Sequence, residues 1–90
     1  MEDIEVTFII KALNEEENIA ACIESCIREA EPYTSEIILV DSLSVDKTVE
    51  IAKQYPVRIV QFENQSDVSC GAAPQLGYQY SKGEYIYLLD

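Results

Sequence analysis

The stretch Glu36-Ile37-Ile38-Leu39-Val40-Asp41 shows no alternation of polar and apolar residues. A strand with one wet face alternates. A continuous apolar run of this length fits a strand covered on both faces, the habit of parallel sheets. Val6 to Lys11, with Phe8-Ile9-Ile10 at its centre, reads the same way, and Val57 to Phe62 and Glu84 to Asp90 supply two more strands. Helical spacing fills the gaps between them. Ile19, Cys22, Ile23, Cys26, Ile27 and Ala30 share one face of a helix over about residues 15–30. Asn14, with Glu17 three residues on, reads as its cap and capping box, and Pro32 as its end. A second helix starts from a Ser44 cap, with Asp46 in its first turn and Val45, Val49, Ala52 and Tyr55 as its apolar stripe. Pro56 closes it. Glu63 to Ser69 is a polar loop. A third helix over about residues 72–82 tolerates Pro74 only in its first turn and offers Gly83 as a C′ residue.

Strand and helix in alternation predict an α/β fold, a parallel sheet of about four strands joined by right-handed crossovers. In such sheets ligands sit beyond the carboxyl ends of the strands. Three polar residues fall there: Asn14 just past the first strand, Asp41 ending the second and Asp90 ending the fourth. Their convergence on one sheet edge is the main functional signal in the residues themselves.

The 90 residues hold 6 Lys and Arg against 17 Asp and Glu, a formal charge of −11. That balance excludes a nucleic-acid binder, which needs basic side chains against phosphate. A phosphorylated ligand here would need a metal ion or helix N-termini to offset repulsion. No apolar run is long enough to cross a membrane, and no basic-then-apolar leader opens the chain. The three cysteines, Cys22, Cys26 and Cys70, are odd in number, which with no leader suggests a reducing, cytoplasmic setting. Cys22 and Cys26 share a helix face and read as small buried residues rather than as metal ligands.

Each candidate has a plain structural role beside its functional one. Asp41 either caps the Ser42–Ser44 turn or accepts hydrogen bonds from a base or ribose. Asn14 to Glu17 either complement a helix start or line a pocket. Lys11 either meets a phosphate or sits in solvent. Asp90 alone is weak evidence for a metal, because a hard cation takes several oxygens. Gly71 and Gly77 flank the start of the third helix, but no Gly-x-Gly-x-x-Gly or Walker loop follows the first strand. With no histidine in the chain, Ser-His-Asp and Cys-His catalysis are excluded.

Four stretches resemble family 2 glycosyltransferases in order and spacing. Residues 6–19, Val-Thr-Phe-Ile-Ile-Lys-Ala-Leu-Asn-Glu-Glu-Glu-Asn-Ile, are similar to the family's I-I-P-A-Y-N-E-E-x-N-I. Residues 37–52 resemble a stretch opening I-I-V-V-D-D-G-S-T-D-G-T. Gly-Ala-Ala-Pro-Gln-Leu-Gly at 71–77 is similar to G-A-A-R-N-x-G. Lys82 to Asp90 resembles x-G-E-Y-I-x-F-L-D, which leads into a DxD motif.

The resemblance implies a partial GT-A fold, three layers with strand order 3-2-1-4 and helices on both faces. Residues 1–90 would be the N-terminal nucleotide-binding portion, ending at the DxD motif. The implied activity is transfer of a sugar from a nucleotide-diphosphate sugar to an acceptor, with Mg²⁺ or Mn²⁺ bridging the diphosphate. Ala12, Asn14 and Glu16 would line the nucleoside pocket and Asp41 would bind the base. Asp90 would be the first aspartate of the DxD motif, near ribose and metal. Lys11, Leu13, Ser42 and Pro74 depart from the usual proline, tyrosine, aspartate and arginine. The chain alone is expected to be inactive, and the longer protein would act in the cytoplasm or at the cytoplasmic face of a membrane. A non-catalytic nucleotide-binding or assembly module is the alternative. The fourth strand would form an unprotected apolar edge, giving a homodimer through that strand.

Overall fold

The computed structural model describes residues 3–62, 64, 72–83 and 85–89. The elements run β1 (Val6–Ala12), α1 (Ile19–Ala30), β2 (Ser35–Asp41), α2 (Thr48–Ala52), β3 (Arg58–Gln61), α3 (Ala72–Tyr80) and β4 (Tyr85–Leu89). The four strands form one sheet in the order β3-β2-β1-β4. Every pairing is parallel, with Ala12 opposite Asp41 and Asp41 opposite Gln61. The ends of β1, β2 and β3 are therefore level, and the loops after them meet at one edge.

The two central strands are covered on both sides, as their unbroken apolar runs require. Phe8, Ile10, Ala12, Ile37 and Leu39 pack with Ile19, Ile23, Cys26 and Ala30 of α1 and Ala52 of α2. Ile9, Ile38 and Val40 face the other way, where Leu76 of α3 joins Val60 and Ile86. The layers are thus helix, sheet, helix. Gly77 sets the distance of α3 from the sheet: a Cβ there would lie 2.7 Å from Ile9 Cγ2 and 3.2 Å from Val40 Cγ2.

At the opposite sheet edge, the buried Thr7 hydroxyl donates to Glu36 Oε2 at 2.7 Å and accepts the Gly83 N–H at 2.8 Å. Glu36 Oε2 also accepts the Lys82 N–H. These bonds tie the turn before β4 to β1. They also explain Gly83, which is no C′ residue: α3 has already ended at Tyr80, and its φ is not positive. A Cβ on Gly83 would fall 2.5 Å from the Thr7 backbone nitrogen.

Other sequence expectations shift in the same way. The first helix starts at Ile19 rather than near residue 15, with Asn18 at the cap position and no side-chain bond from it. The second starts at Thr48, so Ser44 does not cap it and Val45, 90% exposed, is not on its buried stripe. In both cases the polar side chains expected to cap a helix bond to the other loop instead. Among the described residues β4 is an edge strand, with Tyr85 and Tyr87 exposed and Phe8 5.6 Å from the Tyr87 ring. Glu84, Asp90 and all of the expected polar loop at 63–69 except Asn64 lie outside the described residues.

Candidate functional site

The loop after β1 and the loop after β2 are joined by a ladder of side chain-to-backbone bonds. Three consecutive backbone N–H groups, of Asn14, Glu15 and Glu16, donate to Ser44 Oγ (2.8 Å), Thr48 Oγ1 (2.7 Å) and Asp46 Oδ2 (3.2 Å). In return the Val45 N–H donates to Asn14 Oδ1 at 2.8 Å, and the Lys47 N–H to Glu16 Oε2 at 3.4 Å. The Ser42 N–H donates to the Ala12 carbonyl, continuing the sheet pairing into the loops. Thr48 is fully buried and also donates its hydroxyl to Asp46. Some desolvation opposes ionisation of Asp46, but bonds from the Thr48 side chain and from the Thr48 and Glu16 backbone outweigh it, holding its carboxyl below the usual range.

Both loops contain one non-glycine residue in the left-handed region, Asn14 at φ 51° and Leu43 at φ 62°. Asparagine enters that region more readily than most residues, and here its Oδ1 also accepts the Val45 N–H; leucine has no polar side-chain group to compensate. Leu43 occupies the glycine position of the D-D-G-S motif. That departure was readable in the sequence, and a glycine position filled by leucine is the signal that would have marked a strained loop.

Asp41 ends β2 facing the α1 side and is fully buried. Its Oδ2 accepts the Ser44 N–H at 2.9 Å and the Gln61 Nε2–H at 3.1 Å, while Oδ1 accepts the Ser44 hydroxyl at 2.5 Å. Asp41 therefore caps its own turn, one of the two roles open in the sequence. Gln61, from the end of β3, is a partner that sequence reasoning missed. Only the level register of β2 and β3 puts it there.

The remaining candidates divide. Ala12 is buried against the α1 side of the sheet, so its carbonyl rather than its methyl serves the edge. Asn14 and Glu16 stay exposed at the edge while holding the loop ladder. Lys11 is half-buried at the end of β1, where a cleft of about 90 Å³ is lined by Ile10, Lys11, Glu15, Asn18, Ile19 and Cys22. Gly77 is a packing residue inside α3, not part of its start. Gly71 and Asp90 lie outside the described residues. Cys22 and Cys26 are free thiols; burial, then the neighbouring Cys22 and Glu29, push Cys26 up to about 11. Among the described residues no three His, Cys, Asp or Glu side chains are grouped to hold a metal ion. No helix among them is long and apolar enough to cross a membrane.

Comparison with known proteins agrees with this architecture. The profile of glycosyl transferase family 2 matches residues 7–90. The glucosyl-3-phosphoglycerate synthase of Petrotoga mobilis is 33% identical over 89 residues, which cover 96% of this chain and 25% of that protein. The crystal structure of Staphylococcus aureus TarS 1–349 superposes with a TM-score of 0.82 at 22% identity, over 97% of this chain and 27% of that one, a likeness of fold. Glucosyl-3-phosphoglycerate synthase from Mycobacterium tuberculosis, solved with Mn²⁺, uridine diphosphate and glucosyl-3-phosphoglycerate, superposes with a TM-score of 0.79 at 27% identity. That match covers 97% of this chain and 33% of the other. The chain spans about a quarter to a third of the length of these proteins. It belongs to glycosyl transferase family 2.

Proposed function

We propose that this family 2 chain forms the donor-binding part of a glycosyltransferase that moves a sugar from a nucleotide-diphosphate sugar to an acceptor. The observation that carries the reading is the sheet edge itself. The ends of β1, β2 and β3 are level, and the two loops beyond β1 and β2 are locked together around Asn14, Asp41 and Ser44. An edge of this kind is where parallel α/β sheets take nucleotides. The related Mycobacterium tuberculosis structure, which holds uridine diphosphate, supports the ligand class.

In this reading Ala12, Asn14 and Glu16 border the nucleoside and Asp41 accepts an N–H of the base. Asp90 takes the DxD position and is the chain's contribution to a divalent metal, Mg²⁺ or Mn²⁺, which would neutralise diphosphate charge on transfer. The Mn²⁺ in that related structure supports the metal. A metal also answers the chain's charge of −11, which by itself repels a diphosphate. This chain's own residues do the rest. They fix the two loops, exclude water from Asp41 and leave its carboxylate hydrogen-bonded. Cytoplasmic location and self-association through β4 belong to the same proposal; exposed Tyr85 and Tyr87 on an edge strand support the second.

Calorimetry on the full-length protein tests the assignment. Asp41→Ala should weaken binding of the nucleotide-sugar donor by about 1–3 kcal/mol, the range for a hydrogen bond to a charged group. Unchanged affinity would remove Asp41 from the site.

A further inference from the structure

The pattern of donors around Asp41 carries a conclusion about Gln61. Asp41 has no exposed surface, yet the reading above requires it to meet a ligand. One of its present donors must give way. The two bonds from Ser44 come from its own turn, three residues on, at 2.9 and 2.5 Å, and Ser44 is held in turn by the Asn14 N–H. Breaking them would dismantle the loop ladder. The bond from Gln61 is different. It is longer, at 3.1 Å, it comes from a neighbouring strand, and Gln61 itself is exposed. Being exposed at the end of an edge strand, its side chain can turn out into solvent without disturbing the core.

We propose that Gln61 is a gate on Asp41. Its carboxamide holds Oδ2 while the site is empty and swings out into solvent when a nucleobase arrives. The chemistry of the exchange is conservative: an amide N–H leaves the carboxylate and a base N–H beside a ring carbonyl takes its place. The carboxylate keeps its count of donors, so its charge is never left unpaired and buried. The gate also lowers the apparent affinity, because only the open fraction binds; the dissociation constant is divided by that fraction. Gln61 is thus a specificity-determining residue that favours bases able to offer an N–H in the amide's place.

This inference rests on Asp41 taking the base, so the test separates the two. Uridine diphosphate and adenosine diphosphate are titrated into the full-length protein, its Asp41→Ala variant, and Gln61→Ala and Gln61→Met variants. Gln61 is exposed at a strand end, so neither substitution removes a core side chain, and thermal melting confirms folding. The methionine keeps most of the length and loses the donor, separating the hydrogen bond from bulk. The expected result is tighter binding of uridine diphosphate by both Gln61 variants, several-fold, while Asp41→Ala weakens it. If Asp41→Ala weakens binding but both Gln61 variants bind equally or more weakly, Gln61 is a fixed support and the gate is refuted. If Asp41→Ala leaves binding of both nucleotides unchanged, the underlying assignment fails, and the gate with it.

Discussion

Replacing Asn14 separates two contributions that the loop ladder combines. Asn14 holds φ at 51° and its Oδ1 accepts the Val45 N–H at 2.8 Å. Asn14→Ala removes the acceptor, worth about 1 kcal/mol, and forces an ordinary side chain into the left-handed region, about 1 kcal/mol more. The total is about 2 kcal/mol. Asn14→Gly also loses the bond but enters that region freely, and this relief offsets its greater freedom in the unfolded chain, leaving a loss of about 1 kcal/mol. Against a usual domain stability of about 5–15 kcal/mol, both are measurable by urea unfolding with unchanged m. The order is the informative result: glycine should be more stable than alanine. Alanine equal to or better than glycine would refute the left-handed conformation. Two neutral variants would refute the contribution of the Val45 bond.

Gly77→Ala should destabilise by about 1–3 kcal/mol, the cost of overpacking, because the new Cβ meets Ile9 and Val40 side chains already fixed in the sheet; a wild-type melting temperature would refute the close approach of α3. Asp46 predicts a pH dependence. Its folded-state carboxyl lies below the unfolded value of 3.8, so its contribution is present above that value and is lost as pH falls through the folded one. The stability gap between wild type and Asp46→Asn should therefore close in acid, and a gap that stays constant from neutrality to pH about 3 would show that the Asp46 charge plays no part.

The sheet was legible because its central strands announce themselves. The unbroken runs at Phe8-Ile9-Ile10 and Ile37 to Val40 admit little but strands buried on both faces, and their parallel direction followed from the helices between them, whereas the order 3-2-1-4 came only from the family resemblance. The loops were misread for a physical reason. Asn14 and Ser44 are good helix caps by type, and local reasoning assigns each to the helix that follows it. In the fold each finds its partner 30 or more residues away, through pairings set by the level ends of β1 and β2. Gln61 was invisible for the same reason, since only the β2–β3 register brings its amide to Asp41. The strand-end position of Asp41 was legible because a carboxylate ending an apolar strand is conspicuous without any knowledge of its partners.

The ladder between the two loops also restricts how this part of the chain can change its length. Surface loops commonly accept insertions and deletions, because their backbone bonds to water. Here the N–H groups of Asn14, Glu15 and Glu16 each meet a particular side chain at Ser44, Thr48 and Asp46. Adding or removing a residue within 14–16 or 44–48 moves these donors out of step with their acceptors, and the partner Glu15 loses is the fully buried Thr48. Neither bonded stretch can be lengthened alone without losing these pairings. A viable insertion in one requires a matching adjustment in the other, so the two loops form a single unit of variation although some thirty residues separate them in the chain.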